Sequence, residues 1–192
     1  MTYVDRPLAE YVHRTLEGTR LATWAMRLLA SLPALLVVAV LLALGVQGTR
    51  GRGKAYGSWL PTLWLGVAGT AVALLCAVAL KFLFGRADAD PTYVVFQTYG
   101  FHLFHGGRGY EAFPSATTAG ATAFVTVWWL RVPSSRFLAA LLLAAVLTAI
   151  VVTNGHWVTD VLGGGFLGAF IAAVVVQAKN HGPAEAQAPR AG

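Results

Sequence analysis

Two ionisable residues four apart, His156 and Asp160, stand at the mouth of an apolar run in the stretch Thr153-Asn154-Gly155-His156-Trp157-Val158-Thr159-Asp160. Four residues is one helical turn, so the two side chains are expected to share a face. Asp160 would then accept a hydrogen bond from one imidazole nitrogen and leave the other free to attack an electrophile. Ionisable groups at the end of a membrane helix mark function by default; the structural alternative is a hydrogen-bonded pair at the interface. Two further groups stand at the ends of apolar runs. Lys81 closes one, with Arg86 five residues on, and the ordinary role of such a lysine is to anchor a helix at the headgroups. Ser115 opens another as an expected N-cap before Ala116 and Thr117, where free N–H groups make either a plain cap or an anion site.

The elements that must position these residues are membrane helices. The chain of 192 residues is 57% hydrophobic and 11% charged, with mean hydropathy +0.63, against roughly 25% charged in soluble domains. Five apolar segments, about 23–46, 60–84, 115–133, 136–153 and 157–178, are near the ~20 residues a helix needs to cross a bilayer. The expected fold is therefore an all-α integral membrane protein, a five-helix transmembrane bundle over 23–178. Before it, 5–21 alternate Leu8, Val12, Leu16 and Leu21 with charges, the pattern of an amphipathic helix at the membrane surface, giving an N-terminal unit over 1–22. The first apolar segment is too long for a secretory signal, and no small-residue cleavage site ends it. Residues 179–192, rich in Ala and Pro, are expected to be a disordered cytoplasmic tail. The single cysteine, Cys76, lies within an apolar segment and excludes a disulfide framework or a cysteine metal site.

A net charge of +6 suggests nucleic acid, but the cations are scattered through short loops, so no nucleic-acid partner is expected. Arg50, Arg52, Lys54, Arg131, Arg136 and Lys179 fall on one side of the segments. By the positive-inside bias that side is cytoplasmic, and Lys81, Ser115 and His156 face outward across a cell membrane. Residues 85–114 form a long aromatic loop on that outer face, the size of a lid or binding loop. It carries His102 and His105, whose ordinary role is polar contact at the interface.

Lys81, Pro114-Ser115 and His156-x3-Asp160, in this order, resemble the type 2 phosphatidic acid phosphatase superfamily, the lipid phosphate phosphatases that share a fold with vanadium haloperoxidases. The resemblance covers about residues 5–170. The family pattern is Lys-x6-Arg-Pro, then Pro-Ser-Gly-His, then Ser-Arg-x5-His-x3-Asp. Here Asp88 and Ala89 stand in place of Arg-Pro, Ala116 and Thr117 in place of Gly-His, and Ala149 and Ile150 in place of Ser-Arg. Arg86 is the cation left near the first motif.

The resemblance implies a metal-independent hydrolysis of membrane lipid phosphates or polyprenyl diphosphates, without cofactor, through a phosphohistidine on His156 oriented by Asp160. Lys81, Arg86, Ser115 and the first-turn N–H groups at Ala116 and Thr117 would bind phosphate oxygens. With no histidine at 117, His102 or His105 is a candidate substitute acid if the loop covers the site. Two alternatives follow from the altered motifs: a catalytically degenerate member that binds lipid phosphates or a partner, and a lipid phosphotransferase. Headgroup, tail and oligomeric state are not readable from the chain.

Overall fold

The computed structural model of the protein describes residues 2–16, 18–29 and 59–180. Helix α1 spans Thr2–Leu16. Gly18 breaks the chain with φ +76°, and residues 20–29 are helical again. The stretch 5–21 is thus two helical pieces where the sequence pattern suggested one. The rest of the segment expected over 23–46 lies outside the described residues, as does the tail beyond Asn180.

Four long helices follow: α2 (Trp59–Phe84), α3 (Ala116–Arg131), α4 (Arg136–Val152) and α5 (Val158–Asn180). Among the described residues three helical stretches are long and apolar enough to span a membrane: Trp59–Phe84, Pro133–Val152 and Val158–Asn180. The run expected to span over 115–133 forms the 16-residue α3, which packs between α2 and α5. It ends early because Pro133 cannot continue the helix and opens a single 3₁₀ turn over Pro133–Ser135.

Small residues let these helices approach. Ala73 and Ala77 of α2, Ala119 and Ala123 of α3, and Ile171 of α5 form one buried cluster. Hydrophobicity does not drive helices together within lipid, so close backbone contact does the work. At Gly168 a Cβ would lie 2.2 Å from the Ala119 carbonyl oxygen, and at Gly164 2.4 Å from that of Ser115. Large apolar residues point away from this seam: Leu75, Phe82, Phe137, Phe166 and Phe170 are all exposed, the surface a bilayer would cover.

α3 and α5 run in parallel. Ser115 N–H donates to the Asp160 carbonyl at their starts, and Arg131 reaches Asn180 at their ends. Lys81, Ser115 and His156 therefore lie at one end of the bundle, with Arg131, Arg136 and Lys179 at the other. Residues 85–114 are not one open loop. They contain a π-helical turn (Ala89–Tyr93), a short helix (Val94–Phe96) and bridges from Arg86 to Phe101 and Glu111.

The seam makes a differential prediction. Gly168→Ala should lower the thermal midpoint of the detergent-solubilised protein by several degrees, since overpacking costs about 1–3 kcal/mol. Gly165→Ala, whose Cβ would meet its nearest neighbours at 3.9 Å, should change it little; equal effects would refute the packing.

Candidate active site

The end of the bundle is organised around Arg86, 1% exposed. Its Nη1 donates to Asp160 Oδ1 and, at 2.6 Å, to Thr159 Oγ1. Its Nη2 donates to Asp5 Oδ2 at 2.7 Å. Asp5 in turn accepts from Thr159 Oγ1 at 2.6 Å and from Thr159 N–H at 3.2 Å. The guanidinium also lies against the rings of Phe101, Trp157 and Tyr99 at 5.0, 5.7 and 5.8 Å. Burial acts to lower the pKa of Arg86, but Asp160 and Asp5 outweigh it and hold the group above its ordinary value. Arg86, expected from sequence to bind phosphate, is thus already enclosed by two carboxylates.

The expected hydrogen bond between His156 and Asp160 is not formed. α5 begins at Val158, so the spacing of four is not a helical one; His156 sits in the turn before the helix. His156 Nδ1 lies 3.8 Å from Asp160 Oδ2 and is buried without a hydrogen-bond partner. Asp160 is occupied elsewhere. Besides Arg86 it takes the backbone N–H of Trp157 at 2.9 Å, half of a capping box at the start of α5. Trp157 is fixed in addition by its indole N–H, which donates to the Ala87 carbonyl at 2.8 Å. His156 keeps 18% of its side chain exposed.

Next to this cluster Lys81 Nζ donates to the Glu111 carbonyl, and the Glu111 N–H donates to Asp88 Oδ1 at 3.2 Å. Where the family pattern has arginine, the chain thus holds a carboxylate within electrostatic reach of Lys81 and His156. Burial pushes the Asp88 carboxyl above its ordinary value of 3.8, against the opposing pull of His156, Lys81 and the Glu111 N–H.

Ser115 is the N-cap of α3: its hydroxyl is fully buried and accepts from Thr118 N–H at 3.4 Å and from Thr118 Oγ1 at 3.0 Å. Ala116 is half-buried and Thr117 exposed on the first turn. His102 and His105 are exposed, and their rings pack edge-on against Tyr110, 5.0 and 4.7 Å between centroids; among the described residues no hydrogen bond or ring pair joins either to His156. Sequence reasoning missed Asp5 and Thr159. Asp5 is one charge among several on an amphipathic helix, and no spacing rule singles it out.

A helical membrane bundle with a histidine, a lysine and a helix N-cap gathered at one end defines a class of membrane proteins with a polar site at one end of their apolar helices. The model of the PAP2 superfamily matches residues 62–182, and the chain belongs to that superfamily. The fold is similar to the crystal structure of the first transmembrane PAP2 type phosphatidylglycerolphosphate phosphatase from Bacillus subtilis. The TM-score is 0.62 over 92% of this chain and 84% of that one, at 20% identity. No curated protein sequence matches the chain.

Asp88 makes a prediction about pH. Because its pKa is raised on folding, the folded chain binds the proton more tightly, and stability falls as pH rises from the ordinary carboxylate value through the raised one. Asp88→Asn should remove that fall and raise the thermal midpoint at pH 7. A midpoint and pH slope identical to wild type would show that Asp88 is not strained by its surroundings.

Proposed function

We propose that the protein is a metal-independent membrane lipid phosphate phosphatase that works through a phosphohistidine on His156. The observation that carries this reading is the partly exposed imidazole whose Nδ1 is aimed at Asp160 at 3.8 Å and has no other partner. Catalytic hydrogen bonds are often long before substrate arrives. In the proposed reaction the other ring nitrogen attacks the terminal phosphorus as its bond to the leaving oxygen breaks; that oxygen departs as the inner phosphate of a diphosphate, or as the lipid alkoxide of a monoester, which takes its proton from water, and a second water then cleaves the N–P bond to release phosphate. Lys81 and the first-turn N–H groups at Ala116 and Thr117 offset charge on the equatorial oxygens. The cations at the other end of the bundle support the outer face of the membrane as the side on which this chemistry takes place.

Thr117 leaves no acid at the usual place, and Asp88 replaces a cation. A missing acid forfeits about 10² to 10⁴ in rate and a missing electrostatic donor roughly 10² to 10³. A departing phosphate is much less basic than an alkoxide, so lipid diphosphates, polyprenyl diphosphates among them, suit this site better than monoesters. A second reading, a non-catalytic member, draws on one observation: both terminal nitrogens of Arg86 are taken by Asp5 and Asp160, which leaves the site one cation short for turnover.

Phosphate release by purified protein from lipid monoesters and diphosphates separates the two. Slow release, faster on diphosphates and abolished by His156→Ala, is expected. The double replacement Ala116→Gly with Thr117→His should raise monoester hydrolysis more than diphosphate hydrolysis. Silence of both wild type and the double variant on all substrates would replace the phosphatase with the non-catalytic member.

A further inference from the structure

Arg86 poses an electrostatic problem for His156. A carboxylate stabilises a histidine that becomes positively charged as it attacks, but one oxygen of Asp160 accepts from a guanidinium, which by itself would cancel that charge. The remaining oxygen, Oδ2, is the one that faces His156 Nδ1 at 3.8 Å.

Asp5 changes the balance. Its side chain is completely buried, comes from α1, and accepts at 2.7 Å from Arg86 Nη2, the terminal nitrogen that Asp160 does not use. Both oxygens are used, through Arg86, Thr159 Oγ1 and Thr159 N–H. The buried trio of Asp5, Arg86 and Asp160 therefore carries one net negative charge, where Arg86 with Asp160 alone would carry none. Asp5 and His156 also line one small cavity with Asn154 and Trp157, so α1 borders the same space as the imidazole. The other charges within reach, Lys81 and Asp88, lie on α2 and the segment after it and oppose each other.

We infer that Asp5 is a positioning residue for His156: by neutralising Arg86 it leaves the charge of Asp160 available to the imidazole, and it makes α1 part of the site. This inference rests on the proposed histidine chemistry, and its test has one arm that does not.

That arm is the ¹⁵N chemical shift of the His156 ring, which reports tautomer and charge, measured at fixed pH 7 on full-length protein whose other four histidines are glutamine. Asp5→Asn is nearly isosteric and should move the His156 resonances toward the neutral imidazole. Asp5→Asn with Arg86→Gln restores a single net negative charge and should move them back. A purely structural role for Asp5 would not be reversed by removing a second buried partner.

In the activity arm, Asp5→Asn should lower kcat about tenfold or more with KM little changed, as expected for a charge lost behind the attacking imidazole. The double variant should recover most of it. Unmoved ¹⁵N shifts in Asp5→Asn, or shifts that the double variant fails to reverse, would overturn the inference; so would a rise in kcat, which would make Asp5 an inhibitor. Wild type that releases no phosphate while the shifts move and return would sink the phosphatase reading and leave the electrostatic role of Asp5 standing. Should Asp5→Asn fail to fold, Asp5→Glu keeps the charge and should show wild-type shifts.

Discussion

A guanidinium withdrawn from water must find compensating charge and acceptors around it, because an unpaired buried ion costs far more than one polar contact returns. Arg86 is that group here, and much of the end of the bundle follows from satisfying it. Asp160 comes from the first turn of α5, Asp5 from α1, and the aromatic faces of Tyr99, Phe101 and Trp157 from the connecting segment and the turn before α5. Removing one partner from such a cluster typically costs about 3–5 kcal/mol, much of it the penalty on what remains. Three otherwise separate parts of the chain are tied to one side chain.

The same constraint redistributes the site. Asp160 serves at once as ion-pair partner to Arg86, cap for the Trp157 N–H and neighbour of His156. On the other flank Asp88 and Glu111 surround Lys81 with a carboxylate and a backbone carbonyl. A phosphate entering here would meet fewer unengaged cations than the family pattern supplies, while the partly exposed imidazole is retained. Relative to the family pattern, the site has changed in its anion-binding groups and kept its imidazole.

Much of the fold was legible in the sequence because apolar length is a strong signal: α2, α4 and α5 begin and end within a few residues of the hydrophobic segments. The chain order of the three motifs likewise placed Lys81, Ser115 and His156 at one end. What periodicity did not convey is which partner a polar residue takes. Spacing of four suggested that Asp160 holds His156, but the helix starts two residues later than His156 and the carboxylate turns to Arg86. Asp5 was unreadable for a related reason. On an amphipathic helix its charge looks like part of the wet face, and only the three-dimensional proximity of Thr159 and Arg86 shows that it is the driest residue there. His102 and His105 were plausible acids by type, yet they pack with Tyr110 on the outside.

The bond from Thr159 to Asp5 spans 154 residues of chain, which has a consequence for assembly. Helices α2, α3 and α4 can enter the membrane and pack in order of synthesis, since each pairs with a neighbour close in sequence. The polar cap over them cannot. Arg86 must wait in a partly compensated state until the start of α5 emerges, and only then do both carboxylates and Thr159 converge. Loop-closure entropy must be met before such distant contacts reward it, so this closure is expected to follow the local helix pairings. The site at the end of the bundle is thus completed last, by residues drawn from opposite ends of the described chain.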